Sequence, residues 1–316
     1  MFNIFIDGRE GTTGLQIHER LKSRTDLNLL EIPEQDRKNP RVKQRIINEA
    51  DLVLLCLPDE ASRESVNLIE NDRTKVIDSS TAFRTAGGWT YGIPELNKQQ
   101  RELIHKTNRL SNPGCHATGF IMALYPLIAE RIVPLDYPVF AQSLTGYSGG
   151  GKKLIAVYES GETPEEKLAG PRHYALNLNH KHLAEMQKVT GLQYPPLFTP
   201  IVGRFYQGMV VSIPLLPRLI LKRMSARDIR EVLAHYYQSE PFVRVVPFES
   251  GAFLDNGFLL PTECNQTNRI DLFVFGNDEQ ILVAARLDNL GKGASGAAVQ
   301  NMNIMLGVEE TLGLTV

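Results

Sequence analysis

The sequence predicts an α/β protein in two parts: a doubly wound parallel sheet from the first third of the chain, then an α+β part with a mainly antiparallel sheet. Three observations predict it. Short apolar runs alternate with helix-like stretches up to about residue 110. From about Tyr137 the runs lengthen, with few helical patterns between them. The 316 residues suit two domains of ordinary size, with one large domain as the alternative.

Element by element, Phe2–Ile6 reads as a strand and Gly8–Gly14 as a glycine-rich turn. A helix follows, with Leu15, His18, Leu21 and Lys22 on one face. Leu27–Ile32 is a second strand, followed by Pro40 and a helical pattern on Val42, Ile46 and Ile47. Asp51–Leu57 is almost wholly apolar, as a strand buried on both sheet faces should be. Pro58 and Asp59 open another helix, and Lys75–Asp78 is a fourth strand. In the second part Val139–Thr145, Met209–Pro214, Arg269–Phe275 and Gln280–Leu287 read as strands, interrupted by a helix over Ser225–Gln238. Ala294–Leu306 is helical, with Ala298, Met302 and Met305 on one side, and is expected to return to the first domain. The expected domains are 1–114 with 287–316, and 115–286.

Composition narrows the function. At 42% hydrophobic and 22% charged the chain is an ordinary folded protein rather than a disordered one. A net charge of −2 offers no field to attract nucleic acid or anionic lipid. No apolar run approaches the roughly 18 residues that span a bilayer, and the start lacks the basic region of a signal peptide. Three cysteines without regular spacing make neither a disulfide framework nor a zinc site. A cytoplasmic protein without a metal is expected.

Gly8, Gly11 and Gly14 stand between a strand and a helix, in the position of the first phosphate-binding turn of dinucleotide folds. Their G-x-x-G-x-x-G spacing departs from G-x-G-x-x-G, so the position in a repeated strand–helix pattern carries the nucleotide reading. The plain alternative is a tight connection without a ligand. Glu31, ending the second strand, suits a ribose 2′-hydroxyl and hence NAD; Arg37 and Lys38 suit a 2′-phosphate and hence NADP. Both remain open at this level.

Ser111-Asn112-Pro113-Gly114 delivers Cys115 to the start of an apolar helix, Thr118–Ile128. A thiol at a helix N-terminus is stabilised as thiolate, and free amides there suit an oxyanion. Cys56, in an apolar strand, fits the commoner fate of a small buried hydrophobe, and Cys264 lies in a polar loop. Cys115 is therefore the candidate nucleophile. A cysteine nucleophile needs a proton-handling partner. His180 and His182, in H-K-H-L-A-E-M at a loop-to-helix boundary, are the candidates, with His182 preferred. His116 is set aside because sequence neighbours point different ways. His18 and His235 lie within helices, where surface or packing roles are expected.

Residues 146–152 also satisfy G-x-x-x-x-G-K, which raises a phosphate-loop NTPase. The next residue is Lys153, where that motif requires Ser or Thr for magnesium. A protein that only binds nucleotide is a third option.

Taken in order, F-I-D-G-R-E-G-T-T-G-L-Q-I, D-S-S-T-A-F-R, W-T-Y-G-I-P-E-L, S-N-P-G-C-H-A-T-G, G-Y-S-G-G-G-K, H-K-H-L-A-E-M, G-R-F-Y-Q-G-M and A-S-G-A-A-V-Q-N-M-N run nearly end to end. The chain resembles the N-acetyl-gamma-glutamyl-phosphate reductases, in their shorter subtype, which are related to aspartate-semialdehyde dehydrogenase. It departs from them at Ala184, where many have proline, and at Phe83, where the subtype often has histidine. The resemblance implies a Rossmann-type domain and NADPH-dependent reduction of N-acetyl-glutamyl 5-phosphate in arginine biosynthesis. A related acyl-phosphate reductase, for aspartyl phosphate or a carrier-bound acyl group, is the alternative. By the resemblance Cys115 is the nucleophile, and His180 with His182 is the acid/base region. Arg84 takes an anionic group, as a planar guanidinium suits phosphate. Asn112, Lys153 and Arg172 join it on the substrate side. Gly8, Gly11, Thr12, Thr13, Gly14, Arg37, Ser148, Gly149 and Asn289 fall on the cofactor side. A homo-oligomer, a dimer or tetramer, is implied.

Overall fold

A computed structural model describes residues 1–36 and 39–316. Two compact units divide the chain: Met1–Gly114 with Ala294–Leu314, and Cys115–Gly293 with Thr315–Val316.

In the first unit β1 (Phe2–Asp7) leads through a glycine turn into α1 (Thr12–Leu21). Next come β2 (Leu27–Leu30), α2 (Pro40–Glu49), β3 (Leu52–Leu55), α3 (Asp59–Asn67) and β4 (Lys75–Asp78). The short β5 (Thr90–Tyr91), α4 (Gln100–Lys106) and β6 (Arg109–Ser111) complete it. The six strands lie in the order β2-β1-β3-β4-β6-β5, and every pairing is parallel. Alternation sorts the core. Ile4 and Ile6 point to one face with Ile17 and Leu21 of α1, while Phe5, Val53 and Leu55 pack with Ile46 and Ile47 of α2 on the other. The all-apolar β3 is buried at every position for this reason. Asn39 caps α2 by accepting from the Arg41 amide at 3.1 Å, and Pro40 supplies its first residue.

One face expected from the sequence is corrected. Leu15 of α1 is 51% exposed and Lys22 is exposed, while Gly14, Ile17 and Leu21 are buried. Gly14 decides the face: a Cβ there would stand 2.4 Å from the Gly8 carbonyl oxygen, so the helix meets the strand through its glycine side.

The second unit opens with α5 (Cys115–Ala129), which begins three residues earlier than the expected helix. After β7 (Phe140–Gly146) come α6 (Gly151–Glu159), α7 (Glu165–Leu168), β8 (Arg172–His173) and α8 (Leu183–Thr190). Then follow β9 (Leu197–Gly203), β10 (Met209–Leu215), α9 (Ala226–Tyr236), β11 (Val243–Val245), β12 (Ile270–Gly276) and β13 (Ile281–Leu287). The sheet order is β11-β12-β13-β10-β7-β9-β8. The β11–β12 and β7–β9 pairings are parallel and the other four antiparallel. On one face α5 lies so close to β10 that a Cβ on Gly119 would meet Val211 Cγ2 at 2.6 Å. Ser225 and Asp228 form a capping box at the start of α9.

The chain rejoins the first unit at Ala294 rather than at 287. Residues 288–293 stay with the second unit because the buried Asp288 is tied there, its carboxylate accepting from the Gln207 side chain and from the Gln266 and Leu290 amides. A π-helical turn, Gly291–Ser295, then leads into α10 (Gly296–Leu306), which is buried on nearly every side.

Candidate active site

The glycine turn after β1 is built by close approach. Gly8 has φ +85°, and a Cβ on it would meet the Cys56 carbonyl oxygen at 2.4 Å. Its own carbonyl accepts from the Gly11 amide at 2.9 Å, which sets Gly11 as the first cap of α1, without a side-chain cap. Thr12, Thr13 and Gly14 form the first turn, whose amides have no intrahelical acceptor. Beside the start of the turn opens a cleft of about 290 Å³ lined by Gly8, Arg9, His18, Glu31, Ile32 and Leu57 among others. A Cβ at Gly8 or Gly14 would stand 2.4 Å from a main-chain oxygen, so only glycine lets the turn fold this tightly; its free amides suit the phosphates of a dinucleotide. Arg37 lies outside the described residues. The sequence reading missed Arg9, whose guanidinium pairs with Glu31.

Arg84 is turned towards main chain. Its Nε donates to the Asn112 carbonyl at 3.1 Å and its Nη2 to the Ser79 carbonyl at 3.0 Å. Asn112 is buried, and its side chain donates to the Ala294 carbonyl at 3.0 Å and accepts from Asn301 at 3.3 Å. These bonds hold the turn that ends at Gly114.

In the second unit Cys115 is the first residue of α5 and is half-buried. His116, set aside on sequence grounds, is wholly inside the cluster. Its Nδ1 lies 2.7 Å from Ser143 Oγ and its Nε2 lies 2.8 Å from the Tyr174 hydroxyl. Its ring stands 5.4 Å from both His180 and His182, which are 4.7 Å apart. α8 and the segment before it bring both rings against the second residue of α5. Burial, then the charges of His180 and Lys181, depress the His116 pKa from 6.5 to about 3, so this ring is neutral. Burial, then the negative charge of Cys115, raises that of Tyr174. The Tyr174 hydroxyl is thus in the electrostatic reach of both residues.

His182 caps α8, and its Nε2 is 4.0 Å from the buried Glu185 carboxylate. Its amide donates to His180 Nδ1 at 3.2 Å, which places the proton of a neutral His180 on Nε2. Ala175 and Leu178, in the segment leading to His180, have φ of 52° and 56°. Left-handed non-glycine residues cost of order 1–2 kcal/mol each, and this segment retains two. A histidine beside the cysteine and an acidic residue three positions after His182 were the available signals for His116 and Glu185.

The remaining cysteines differ in kind. Burial pushes the Cys56 thiol up to about 12, and burial with the adjacent Asp271 does the same for Cys264. Cys264 is fully buried despite its polar sequence surroundings.

Ser148, Gly149 and Asn289 come together. The Asn289 side chain donates to Ser148 Oγ at 3.0 Å, accepts from the Gly208 amide at 2.7 Å, and would lie 3.5 Å from a Cβ on Gly149. Lys153 stands elsewhere, exposed on α6. Arg172 is stacked 4.9 Å from the Tyr158 ring and donates to its hydroxyl at 3.2 Å. The residues of the G-x-x-x-x-G-K match form a 3₁₀ turn and the first residues of α6, with Lys152 exposed.

Residues 4–104 match the family described as "Semialdehyde dehydrogenase, NAD binding domain", and residues 115–289 match "Semialdehyde dehydrogenase, dimerisation domain". Over 98% of both chains the sequence is 49% identical to N-acetyl-gamma-glutamyl-phosphate reductase 2 of Nostoc sp.. It is 46% identical to the protein of the same name from Pseudomonas putida, again over 98% of each.

The chain belongs to the N-acetyl-gamma-glutamyl-phosphate reductase family.

Its fold is shared with aspartate semialdehyde dehydrogenase of Francisella tularensis, with a TM-score of 0.71 at 13% identity over 97% of this chain and 100% of that one. Membership makes this an oxidoreductase with a Rossmann-type domain. No helix among the described residues is long and apolar enough to cross a membrane.

Proposed function

We propose that this chain reduces N-acetyl-L-glutamyl 5-phosphate to N-acetyl-L-glutamate 5-semialdehyde and phosphate, with NADPH, through a thioester on Cys115. The carrying observation is Cys115 at the first position of α5, with His180 and His182 gathered around the neutral ring of His116 at the same helix start.

In this mechanism the Cys115 thiolate attacks the acyl-phosphate carbonyl carbon. Helix-start amides hold the oxyanion, and His180, with its proton on Nε2, is a further donor to it. The C–O bond to phosphate breaks, leaving the acyl group on Sγ. NADPH, when bound at the Gly8–Gly14 turn, supplies the hydride that brings the acyl carbon to the aldehyde level. Hydride addition leaves an oxyanion, to which a protonated His182 gives its proton to form the thiohemiacetal; its hydroxyl then returns that proton as the C–S bond breaks, releasing aldehyde and thiolate. His182, whose Nε2 stands 4.0 Å from the Glu185 carboxylate, takes that proton. Arg84 and Asn112 position the turn before the nucleophile, while Lys153 and Arg172 are the cations to test for the substrate phosphate. Ser148, Gly149 and Asn289 form a hydrogen-bonded loop platform whose role is to contact the cofactor.

The face of the second sheet opposite α5 carries a groove of about 450 Å³ lined by Leu144, Val210, Leu254, Leu259, Phe275 and Leu282. Its apolar lining and the dimerisation family matched by residues 115–289 support a homodimer formed there, for which light scattering is the check.

Rates with a small panel test the reaction. The purified protein should reduce NADP with N-acetylglutamate semialdehyde plus phosphate, and should do so faster than with aspartate semialdehyde. ATP hydrolysis without that activity would sink the proposal. Cys115→Ser should fold, bind NADPH and lose turnover. Enzyme mixed with the acyl phosphate alone should show an acyl adduct on Cys115 by mass spectrometry.

A further inference from the structure

Arg9 and Glu31 place opposite charges at one wall of the first unit's cleft. Arg9 follows the left-handed Gly8 in the phosphate turn, and Glu31 follows the last residue of β2. Both line the cleft with Gly8, Ile32 and Leu57. A free carboxylate after the second strand accepts from a ribose 2′-hydroxyl and repels a 2′-phosphate. Here that carboxylate is paired with the Nη1 group of Arg9. The Nε and Nη2 groups of Arg9 make no hydrogen bond among the described residues, so part of its fork is open.

We propose that Arg9 selects the phosphorylated cofactor: it cancels the Glu31 charge and offers its open N–H groups to the 2′-phosphate. A guanidinium serves this purpose better than an ammonium, since its planar donors hold a carboxylate and a phosphate at once. This rests on the dinucleotide reading of the glycine turn. It adds a residue of the turn itself to the cations that set cofactor choice, so that the loop cradling the pyrophosphate also reads the adenosine ribose.

Calorimetric titration of the purified protein with NADP⁺, NAD⁺ and adenosine 2′,5′-bisphosphate tests it without turnover. The side chains are 41% and 61% exposed, so Arg9→Ala and Glu31→Gln should both fold. Arg9→Ala should weaken NADP⁺ and the bisphosphate about tenfold to a hundredfold, the scale of one charged hydrogen bond, and leave NAD⁺ as tight or tighter. Glu31→Gln should leave NADP⁺ as tight or tighter and weaken NAD⁺. Equal losses for both dinucleotides in Arg9→Ala would place Arg9 on the shared pyrophosphate and overturn the proposal. No change for either would overturn it too, by assigning the choice to other cations. A wild-type protein that binds none of the three probes would instead remove the dinucleotide reading beneath it.

Discussion

The Nε of Arg84 donates a 3.1 Å hydrogen bond to the carbonyl of Asn112, three residues before Cys115. With the bond to Ser79 it makes this arginine a brace for the turn that leads to Cys115. Arg84→Lys keeps the charge but replaces a planar fork by a point, so it cannot serve both carbonyls. We expect kcat to fall about tenfold to a hundredfold, as for loss of one charged hydrogen bond worth roughly 1.5–3 kcal/mol, with a lower Tm. A rise in the KM for phosphate alone, with kcat and Tm intact, would show that Arg84 binds the phosphate instead.

The two histidines of H-K-H should separate by pH profile. His182→Asn removes the group that takes the thiohemiacetal proton, so the limb of the kcat profile near neutral pH should flatten. His180→Asn removes an oxyanion donor and should lower kcat without moving that limb. Reversed behaviour would exchange their roles.

His116 makes stability depend on pH. Its folded pKa, about 3, lies below the ordinary 6.5, so between those values the unfolded chain holds one more proton than the folded one. Stability from this ring is full above about pH 6.5 and is lost as pH falls towards 3. The loss approaches about 1.4 kcal/mol per pH unit at full effect. Urea unfolding of wild type and His116→Gln across this range should give a wild-type curve steeper by close to one proton. Parallel curves would mean that His116 is charged when folded.

The three cysteines should react unequally. Cys56 and Cys264 have thiols pushed up to about 12, leaving almost no thiolate at neutral pH. Iodoacetamide at pH 7 on the native protein should modify Cys115 well before the other two, as read by peptide mapping. Comparable rates at Cys56 would refute the assignment of the reactive thiol.

Gly14→Ala should disturb the phosphate turn. The added Cβ would stand 2.4 Å from the Gly8 carbonyl oxygen and 2.9 Å from the Arg9 Cα, both main-chain atoms. Overpacking of this kind costs about 1–3 kcal/mol, and we expect a matching drop in Tm with NADP⁺ affinity down at least about tenfold. Gly88→Ala provides a contrast: nothing lies within 4 Å of a Cβ there, although its φ of +79° still carries some strain.

Patterns along the chain were sufficient for the doubly wound sheet, because a strand buried on both faces must be apolar throughout, as Leu52–Leu55 is. They were also sufficient to place Cys115 at a helix start, since a turn ending there is a local feature. Register and wrapping were not local. The face of α1 depended on packing so close that a Cβ on Gly14 would stand 2.4 Å from the Gly8 carbonyl oxygen, which turns the glycine side inward and leaves Leu15 in solvent. Only the tertiary structure joined His116 to Ser143 and Tyr174, residues 27 and 58 positions away. Only it turned Arg84 onto the Asn112 carbonyl and paired Arg9 with Glu31. Hydrogen bonds and ion pairs act over a few ångströms of space, whatever the separation along the chain, so one sequence read alone shows which groups can meet but not which do.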